Sequence, residues 1–377
     1  MSNWKKHKLG NLVKFQRGHD LSKSEFIDGN IPIVGSNGII GHHNKFTCKA
    51  PCITIGRSGS LGTPYFYNVN IWAHNTTLYV KEFYNCDPKF MYYLLQTIDF
   101  KQFNSGSAVP SLNRNYIHPI EVLAPEIQEQ QRIASILSSL DDKIELNRQT
   151  NQTLEGIAQT LFQEMCVPKG EELPEGWKVG KLSEIIKIKH GYAFKGEFFS
   201  DVETEDILIT PGNFKIGGGF NYSKFKYYNG DIPKDYILTE NDLIVTMTDL
   251  SKEGDTLGYS ALVPTIQNKQ LLHNQRVGKI EYKGGKHLKF FLYFSMREKN
   301  YRNFVLGSAT GTTVRHTSPD RICDFNLAIP NDKTIIKFSD IVKPMLDNIL
   351  SNEQENQTLI ALRDSLLPKL MKGEIEI

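Results

Sequence analysis

The sequence predicts an α+β protein in which two globular α/β domains are separated by two long antiparallel coiled-coil helices. Three observations predict this fold: the chain repeats one pattern, each copy ends in a segment with heptad spacing, and the rest of each copy alternates short apolar runs with turn signals. At 377 residues with 40% hydrophobic content, the chain is long enough to bury more than one core.

The internal repeat implies a pseudo-two-fold organisation. Trp4-Lys5 and Gly18 recur as Trp177-Lys178 and Gly191. The later matches are His74-Asn75 with His273-Asn274, Phe90-Met91-Tyr92-Tyr93 with Phe291-Leu292-Tyr293-Phe294, Gly106-Ser107-Ala108 with Gly307-Ser308-Ala309, and Asn151-Gln152-Thr153-Leu154 with Asn356-Gln357-Thr358-Leu359. The spacing between copies widens along the chain, so the second copy carries insertions. We therefore expect two modules that share a frame and differ inside it.

The two heptad segments predict one helix pair within the chain. The seam positions are Leu137, Ile144, Asn147, Asn151 and Leu154 in the first helix and Ile349, Asn352, Asn356, Leu359 and Leu366 in the second. Because a slipped register would bury unpaired amides, we expect Asn147 to face Asn356 and Asn151 to face Asn352, which also sets Ile144 against Leu359. The alternative is two surface helices, each packed on its own domain.

The predicted helix pair forms a rod. About 40 residues at about 1.5 Å rise give a length of roughly 60 Å, enough to hold the two globular domains well apart. Leu140 against Arg363 is the weakest layer, since nothing but snorkelling to the seam edge accounts for that arginine.

Short strands and two buried helices are predicted in the globular parts. The strands are Ile31 to Val34, Cys52 to Ile55, Thr77 to Val80, Ile207 to Thr210, Leu243 to Met247 and Arg276 to Ile280, and the helices are Phe90 to Leu95 and Phe290 to Met296. Asn37-Gly38 and Asn229-Gly230 indicate tight turns.

Charge divides unevenly along the chain. Residues 1–125 hold 13 Lys and Arg against 7 Asp and Glu, or +6; 126–170 hold 4 against 7, or −3; 171–333 hold 22 against 21, or +1; and 334–377 hold 5 against 7, or −2. The first globular segment is therefore basic and the helical segments are acidic. A basic patch is typical of phosphate binding, although ordinary solvated surfaces also carry such an excess.

Polar loop residues are the candidate DNA contacts. Asn and Arg have the geometry to bind adenine and guanine edges, and the glycines of the loop Gly56 to Gly62 let a backbone approach phosphate. The candidates of the first copy are Asn37, His42, His43, Lys45, Arg57, Ser58, His74, Asn75, Asn113 and Arg114. Those of the second are Lys195, Asn213, Lys215, Lys224, Lys226, Thr248, Lys252, Asn274, Arg276, Arg315 and His316. The alternative for each of them is a solvated loop residue.

No catalytic motif is found in the sequence. N-P-P-Y, D-P-P-Y, G-x-x-x-x-G-K and G-x-G-x-x-G are all absent, so we predict no catalytic residue and no cofactor pocket on this chain. His42-His43 lacks a third metal ligand, so we predict no metal site. The five cysteines are scattered, and no signal or membrane-spanning stretch is found, so we expect reduced thiols and a cytoplasmic protein.

The chain resembles the specificity subunit of type I restriction-modification systems. The motifs that carry the resemblance are the W-K-x-x-K-L opening, Pro125 to Ile136 (PEIQEQQRIASI), Leu161-Phe162-Gln163 and LLPKLMKGEI at 366–375. The second helix departs from the pattern, because it begins Pro330-Asn331-Asp332-Lys333 without the Gln-rich start.

The resemblance implies a domain plan and a set of partners. Residues 1–125 and 171–333 would be target recognition domains, and 126–170 and 334–377 the central and distal spacer helices. It implies double-stranded DNA, two adenine-methylating modification subunits and restriction subunits as partners, with S-adenosylmethionine, ATP and Mg on those subunits. The family has no fixed contact motif, so neither the bases recognised nor the spacer length follows from the sequence.

Two other classes of function are alternatives. A single-chain nuclease or methyltransferase with a duplicated recognition domain would act on DNA alone, and a coiled-coil adaptor would not need its Arg and Lys loops for DNA affinity. The absent motifs argue against the first, and the basic first copy argues against the second.

Overall fold

The computed structural model describes residues 4–103, 110–170 and 172–375, which belong to two compact units. The first unit is Met1–Leu146 with Asn356–Ile377, and the second is Asn147–Glu355. Two helices of 40 residues, Ile127–Cys166 and Asp332–Met371, occupy most of the predicted segments 126–170 and 334–377, and the second begins two residues before its predicted segment. Each of these helices contributes residues to both units, so the compact units do not coincide with the four predicted segments. The predicted match at Gly106-Ser107-Ala108 lies outside the described residues.

The first unit is built from short strands and two short helices before its long helix begins. Its strands are β1 (Lys5–Lys8), β2 (Val13–Arg17), β3 (Ile31–Gly35), β4 (Gly38–His43), β5 (Cys52–Gly56), β6 (Pro64–Tyr67), β7 (Trp72–Ala73), β8 (Thr77–Phe83) and β9 (Glu121–Ala124). Its helices are α1 (Pro88–Gln96), α2 (Arg114–Ile117) and the start of α3 (Ile127–Cys166).

The second unit repeats this composition with more strands. They are β10 (Lys178–Lys181), β11 (Ile186–His190), β12 (Phe199–Ser200), β13 (Asp206–Ile209), β14 (Lys226–Tyr228), β15 (Ile237–Leu238), β16 (Leu243–Thr246), β17 (Thr248–Asp249), β18 (Ser260–Leu262), β19 (Gln270–His273), β20 (Val277–Tyr282), β21 (Arg315–His316) and β22 (Asn326–Ile329). The helices are α4 (Leu182–Ile185), α5 (Leu288–Ser295), α6 (Lys299–Ser308), α7 (Pro319–Cys323) and the first part of α8 (Asp332–Met371).

Sheet topology is shared by the two units. The four-stranded sheet β2-β8-β5-β6 has its counterpart in β11-β20-β16-β18, and the pair β1-β9 in β10-β22. A second sheet contains one parallel pair in each unit, β3 with β7 and β13 with β19. The insertions of the second unit add strands around its parallel pair, giving β12-β14-β13-β19-β15 against β4-β3-β7. All six predicted strands are present, with ends within three residues of those expected.

The aromatic helices α1 and α5 close the two cores, as predicted. Helix α1 begins where Asp87 accepts a hydrogen bond from the Phe90 amide at 2.9 Å, with Pro88 in its first turn. Phe90 and Met91 are then fully buried against the first four-stranded sheet. In the second unit, Phe291 and Phe294 pack beside Phe162 of the long helix, with ring centroids 6.1 and 5.7 Å away. These rings are core residues and not base-stacking surface.

The helix segments of the second unit pack antiparallel. Asn147 donates to Glu355 at 2.7 Å, Asn352 donates to Asn151 at 2.8 Å, and the ring centroids of Phe162 and Phe338 lie 5.8 Å apart. Residue numbers thus fall along α8 as they rise along α3. The Asn151–Asn352 bond confirms the predicted register for that layer. The Asn147 side chain bonds Glu355, the residue before its predicted partner Asn356.

The helix segments of the first unit also pack antiparallel, and their polar layer accounts for Arg363. Ile133 and Leu137 share a core with Leu370 and Leu366. Arg363 binds the Asp141 carboxylate at 2.7 Å, and the Tyr93 hydroxyl of α1 donates to the same carboxylate at 2.6 Å. The arginine therefore joins the helix pair to the globular domain instead of only snorkelling past the seam.

Burial of the predicted seam follows the heptads. Leu137, Ile144, Asn147, Asn151 and Asn356 are buried, and Leu154, Ile349, Asn352, Leu359 and Leu366 are half-buried. The start of α8 also differs from that of α3. Gln130 is buried and bonds the Pro125 carbonyl and the Asp87 amide, whereas the second helix opens with Asn331 capping the Thr334 amide.

Candidate nucleic-acid interface

Polar loops of the first unit meet at the strand ends and form what we call the first loop cluster, comprising Arg17, Asp20, Ser36, Arg57, Ser58, His74, Asn75, Thr76 and Ser111. Thr76 is its hub. The Thr76 carbonyl accepts from the Arg57 and Ser58 amides at 2.8 and 3.2 Å, and its hydroxyl accepts from the Ser36 amide at 3.3 Å. The Arg57 guanidinium bonds the Asn75 carbonyl at 3.2 Å. The cluster therefore presents an anchored, half-exposed guanidinium and amide side by side.

An acidic side chain lies within this cluster. The Asp20 carboxylate accepts from Asn75 and from Arg17, whose Nη2 lies 3.0 and 3.3 Å from its two oxygens. The hydrogen bond from Asn75 and the neighbouring Arg17, His74 and Arg57 side chains hold the pKa of Asp20 below its ordinary value. The carboxylate is therefore ionised at neutral pH and occupied by donors from two loops.

The second unit assembles the corresponding second loop cluster, comprising His190, Tyr192, Met247, Thr248, Asp249, Lys252, Gln275, Arg276, Arg315 and His316. The Thr248 hydroxyl and the Nδ1 atom of His316 are 3.1 Å apart, and Arg315 donates to the Lys252 carbonyl at 3.0 Å. The Arg276 side chain is exposed. This cluster likewise combines cationic and amide side chains on a hydrogen-bonded loop frame.

Asp249 fixes the second cluster's longest loop instead of facing solvent. It accepts from the Ser251 amide at 2.6 Å and from both the amide and the hydroxyl of Thr256 at 2.5 Å. Burial alone would raise the pKa of Asp249, but the hydrogen bonds from Thr256 and Ser251 outweigh it and lower the pKa. The charge of Asp249 is thus turned inward and bonded, and is not presented at the surface.

The two clusters share their backbone hydrogen bonds. Arg57 N to Thr76 O (2.8 Å) corresponds to Met247 N to Arg276 O (2.9 Å), and Leu112 N to Arg57 O (2.8 Å) corresponds to Thr317 N to Met247 O (3.0 Å). His19 N to Ala73 O (2.7 Å) corresponds to Tyr192 N to His273 O (2.8 Å). The loops Gly56 to Gly62 and Thr246 to Gly258 both close on a glycine with positive φ, 77° and 81°. One backbone frame therefore carries two different sets of side chains.

This frame corrects the sequence match of the His-Asn pairs by one residue. His74 pairs with His19 in a parallel bridge, and its carbonyl accepts from Thr77, whereas Asn274 pairs with Tyr192, and its carbonyl accepts from Val277. His74 is therefore equivalent to Asn274 and not to His273, and Asn75 is equivalent to Gln275. The repeated letters obscured the shift because both copies contain His-Asn at nearly the same place.

The structure places the remaining exposed candidates outside the two clusters or at their margins. Asn37 lies in the β3–β4 turn beside Ser36. Asn113 caps α2, and Arg114 is the first residue of that helix. His42 pairs with Pro32, at the opposite end of β3 from Ser36. Lys215 bonds Glu353 of α8 at 2.8 Å. The remaining exposed candidates are the lysines Lys45, Lys195, Lys224 and Lys226.

Four predicted contacts are buried, and the structure corrects them. His43 is 4% exposed and accepts from the Ile27 amide, and Asn213 is fully buried with bonds to the carbonyls of Asn221 and Lys224. Thr248 and Asn274 are each 4% exposed. The side-chain oxygen of Asn274 accepts a hydrogen bond from the Arg276 backbone amide. These polar groups hold loops in place, so they are not free to touch bases.

Arg17, Asp20, Thr76 and Ser111 belong to the first cluster but were not among the predicted contacts. Arg17 stands directly before the repeated Gly18, and that position next to an element shared by both copies was the available signal. Thr76 and Ser111 gave no signal, because their roles depend on chain segments that meet only in the fold.

Within residues 4–103, 110–170 and 172–375, no group of three or more His, Cys, Asp or Glu side chains is placed to hold a metal ion. Over the same residues, no helix has both the length and the apolar character required to cross a membrane.

Comparison with known proteins assigns the family. The model of the type I restriction modification DNA specificity domain matches twice, at residues 1–156 and 174–360. The chain therefore belongs to the type I restriction-modification specificity family, and the resemblance predicted from its motifs is confirmed. The two matches also coincide with the two copies of the repeat.

Individual relatives agree with this assignment. The MjaIX specificity subunit of Methanocaldococcus jannaschii is 26% identical, over 77% of this chain and 69% of the relative. The MjaVIII specificity subunit of the same organism is 20% identical, over all of this chain and 93% of the relative. The crystal structure of the type I system S subunit from M. genitalium matches with a TM-score of 0.68 and 17% identity, covering 98% of this chain and 96% of that one, which shows a shared fold.

Proposed function

We propose that the chain is the non-catalytic specificity subunit of a type I restriction-modification complex and reads a bipartite, asymmetric DNA site. The first loop cluster would contact one half of the site and the second cluster the other half. In this proposal residues 1–125 and 171–333 are the two target recognition domains, and 126–170 and 334–377 are the spacer helices that set the gap.

One observation carries this proposal: the two clusters have matching backbone hydrogen bonds but different side chains. At equivalent positions stand Arg57 and Met247, Thr76 and Arg276, and Ser111 and His316. Since base edges are distinguished by side-chain donors and acceptors, two unlike sets on one frame support two unlike half-sites. A protein that recognises a palindromic site would instead require two similar sets of side chains.

The proposal assigns the chemistry to partner subunits. Two modification subunits would use S-adenosylmethionine to methylate adenine, and restriction subunits would use ATP and Mg, while this chain supplies DNA recognition and docking. The test is incubation of the purified chain alone with DNA, labelled S-adenosylmethionine, ATP and Mg. We expect neither methylation nor cleavage, and either one would favour the single-chain enzyme.

A methylation map tests the bipartite site directly. Adenine methylation would be sequenced in cells that express this chain with its modification subunits. We expect two short, different sequences separated by a fixed gap, whereas one continuous palindrome would contradict the proposal. Exchange of residues 1–125 for the equivalent domain of another family member is expected to change one half only, and a change in both halves would refute modular recognition.

A further inference from the structure

We propose that Asp20 is a specificity-determining residue of the first recognition domain: its carboxylate withholds Arg17 and Asn75 from the phosphate backbone, so that binding depends on base contacts. This inference rests on the proposed function. It concerns a residue that belongs to none of the predicted contacts and to no core.

The geometry supports a holding role. Asp20 takes donors from both sides, Arg17 three residues earlier and Asn75 in the turn after β7. The side chains of Arg17 and Asp20 are 52% and 70% exposed, so both face the solvent from which DNA approaches. The same turn holds Arg57 through the Asn75 carbonyl. Removing the carboxylate would therefore free one guanidinium and loosen one amide at the centre of the cluster.

The charge supports a discriminating role. Residues 1–125 carry a net charge of +6, which attracts any DNA regardless of sequence. An ionised carboxylate on the same surface repels phosphate and neutralises Arg17, so it weakens sequence-independent binding. Such a residue improves specificity by penalising the wrong partner and not by adding contacts to the right one.

The second unit has no acidic residue at the position equivalent to Asp20, which provides an internal contrast. Its equivalent segment is His190-Gly191-Tyr192-Ala193 against Arg17-Gly18-His19-Asp20. Ala193 is exposed and has no charge, and Asp249 is turned inward. The effect of Asp20 should therefore be confined to the first half of the site.

The test uses the full chain assembled with its modification subunits. Binding is measured over a salt series to three duplexes: the mapped site, the site with its first half scrambled, and the site with its second half scrambled. The variants are Asp20→Ala, which removes charge and acceptor; Asp20→Asn, which removes only the charge; and Asp20→Glu, which keeps the charge. Asp28→Asn is the matched control, because Asp28 is an exposed acid of the same unit outside the cluster.

We expect Asp20→Ala to tighten binding to the duplex with a scrambled first half by roughly 3- to 10-fold at low salt, with a salt dependence steeper by about 0.9 in log–log slope, because Arg17 becomes free to contact one more phosphate. Discrimination of the first half falls by the same roughly 3- to 10-fold, because the gain is in sequence-independent binding, and discrimination of the second half stays unchanged. Asp20→Asn shows the same slope with a smaller loss of discrimination, and Asp20→Glu restores the wild-type slope.

A double variant identifies the freed group. Arg17→Ala in the Asp20→Ala background should return the slope to that of the wild type. Any one of three results would overturn the inference. They are an unchanged slope in Asp20→Ala, a change of slope equal to that of Asp28→Asn, and an equal loss of discrimination in both half-sites. If the wild type itself failed to discriminate the scrambled halves, the proposed function would fail instead.

Discussion

In their loop clusters the two units of the molecule share backbone hydrogen bonds but present different side chains. Ala73 and His273, His74 and Asn274, and Thr76 and Arg276 occupy equivalent positions on parallel strands and turns with the same hydrogen bonds. The contrast teaches that the frame depends on backbone pairing and close packing, whereas the chemistry presented to a partner depends on which side chain stands at each position.

The largest expected effect comes from one backbone position with opposite roles in the two units. Met247 is 2% exposed within the second core, so Met247→Ala should lower the free energy of unfolding by about 2 to 5 kcal/mol. Half-exposed Arg57 holds the equivalent position, and Arg57→Ala should cost about 1 to 3 kcal/mol of affinity for the first half-site with little loss of stability. Urea unfolding and DNA titration of both variants measure this. Comparable destabilisation by the two substitutions would show that the position has one structural role.

The next effect tests the shared frame itself. A Cβ at Gly18 would lie 2.0 Å from the His74 carbonyl oxygen, and one at Gly191 would lie 2.1 Å from the Asn274 carbonyl oxygen. Because both obstacles are backbone atoms, Gly18→Ala and Gly191→Ala should each cost roughly 3 kcal/mol. Gly196→Ala is the control, since no atom lies within 4 Å of its added Cβ. Thermal unfolding that is perturbed in one variant but not the other would break the equivalence of the two frames.

These contrasts show which features were predictable from the sequence. The strands, the two aromatic helices and both long helices were, because apolar periodicity and heptad spacing are local properties of the chain. Whether a polar loop residue is buried or exposed could not be predicted from these patterns. His43, Asn213 and Asn274 are chemically suited to bind bases, but each is buried and bonded to the backbone of its own loop or of a neighbouring one, which apolar periodicity does not reveal. The role of Arg363 was hidden for another reason, since Asp141 and Tyr93 meet it only in the fold.

The two units should differ in how pH affects their stability, because their side chains differ at one equivalent position. Burial lowers the pKa of His273 from its ordinary value to about 4, whereas the first unit has Ala73 there. A histidine with a lowered folded-state pKa contributes stability above its unfolded pKa of about 6.5 and loses it as the pH falls towards 4.

Wild-type protein should therefore lose about 2 kcal/mol more stability between pH 7 and pH 5 than His273→Gln does, as measured by urea unfolding at each pH. His42→Gln, at an exposed histidine of the first unit, should keep the wild-type loss. An identical pH dependence in wild type and His273→Gln would show that this histidine is not the cause.

The smallest expected effect concerns the helix pair of the second unit, where Asn352 donates to the buried side chain of Asn151. Asn352→Leu leaves the Asn151 amide oxygen without this donor in an apolar seam, at a cost of about 1 to 2 kcal/mol. Replacing both asparagines by leucine removes the polar layer entirely and should restore or exceed wild-type stability. The double-mutant cycle measures the coupling between the two amides.

Stability alone does not report register, so the same variants need a geometric readout. With the native cysteines replaced, Ile144→Cys and Leu359→Cys should form an intramolecular disulfide, because the register confirmed by Asn151 and Asn352 sets these positions opposite each other within the first unit. We expect the doubly leucine-substituted chain to form this disulfide in lower yield despite its stability, since only the Asn147 and Asn356 layer then penalises a one-heptad slip. An undiminished yield would show that the asparagine layer does not specify the register, and bridging only between chains would show that the helix pair is intermolecular.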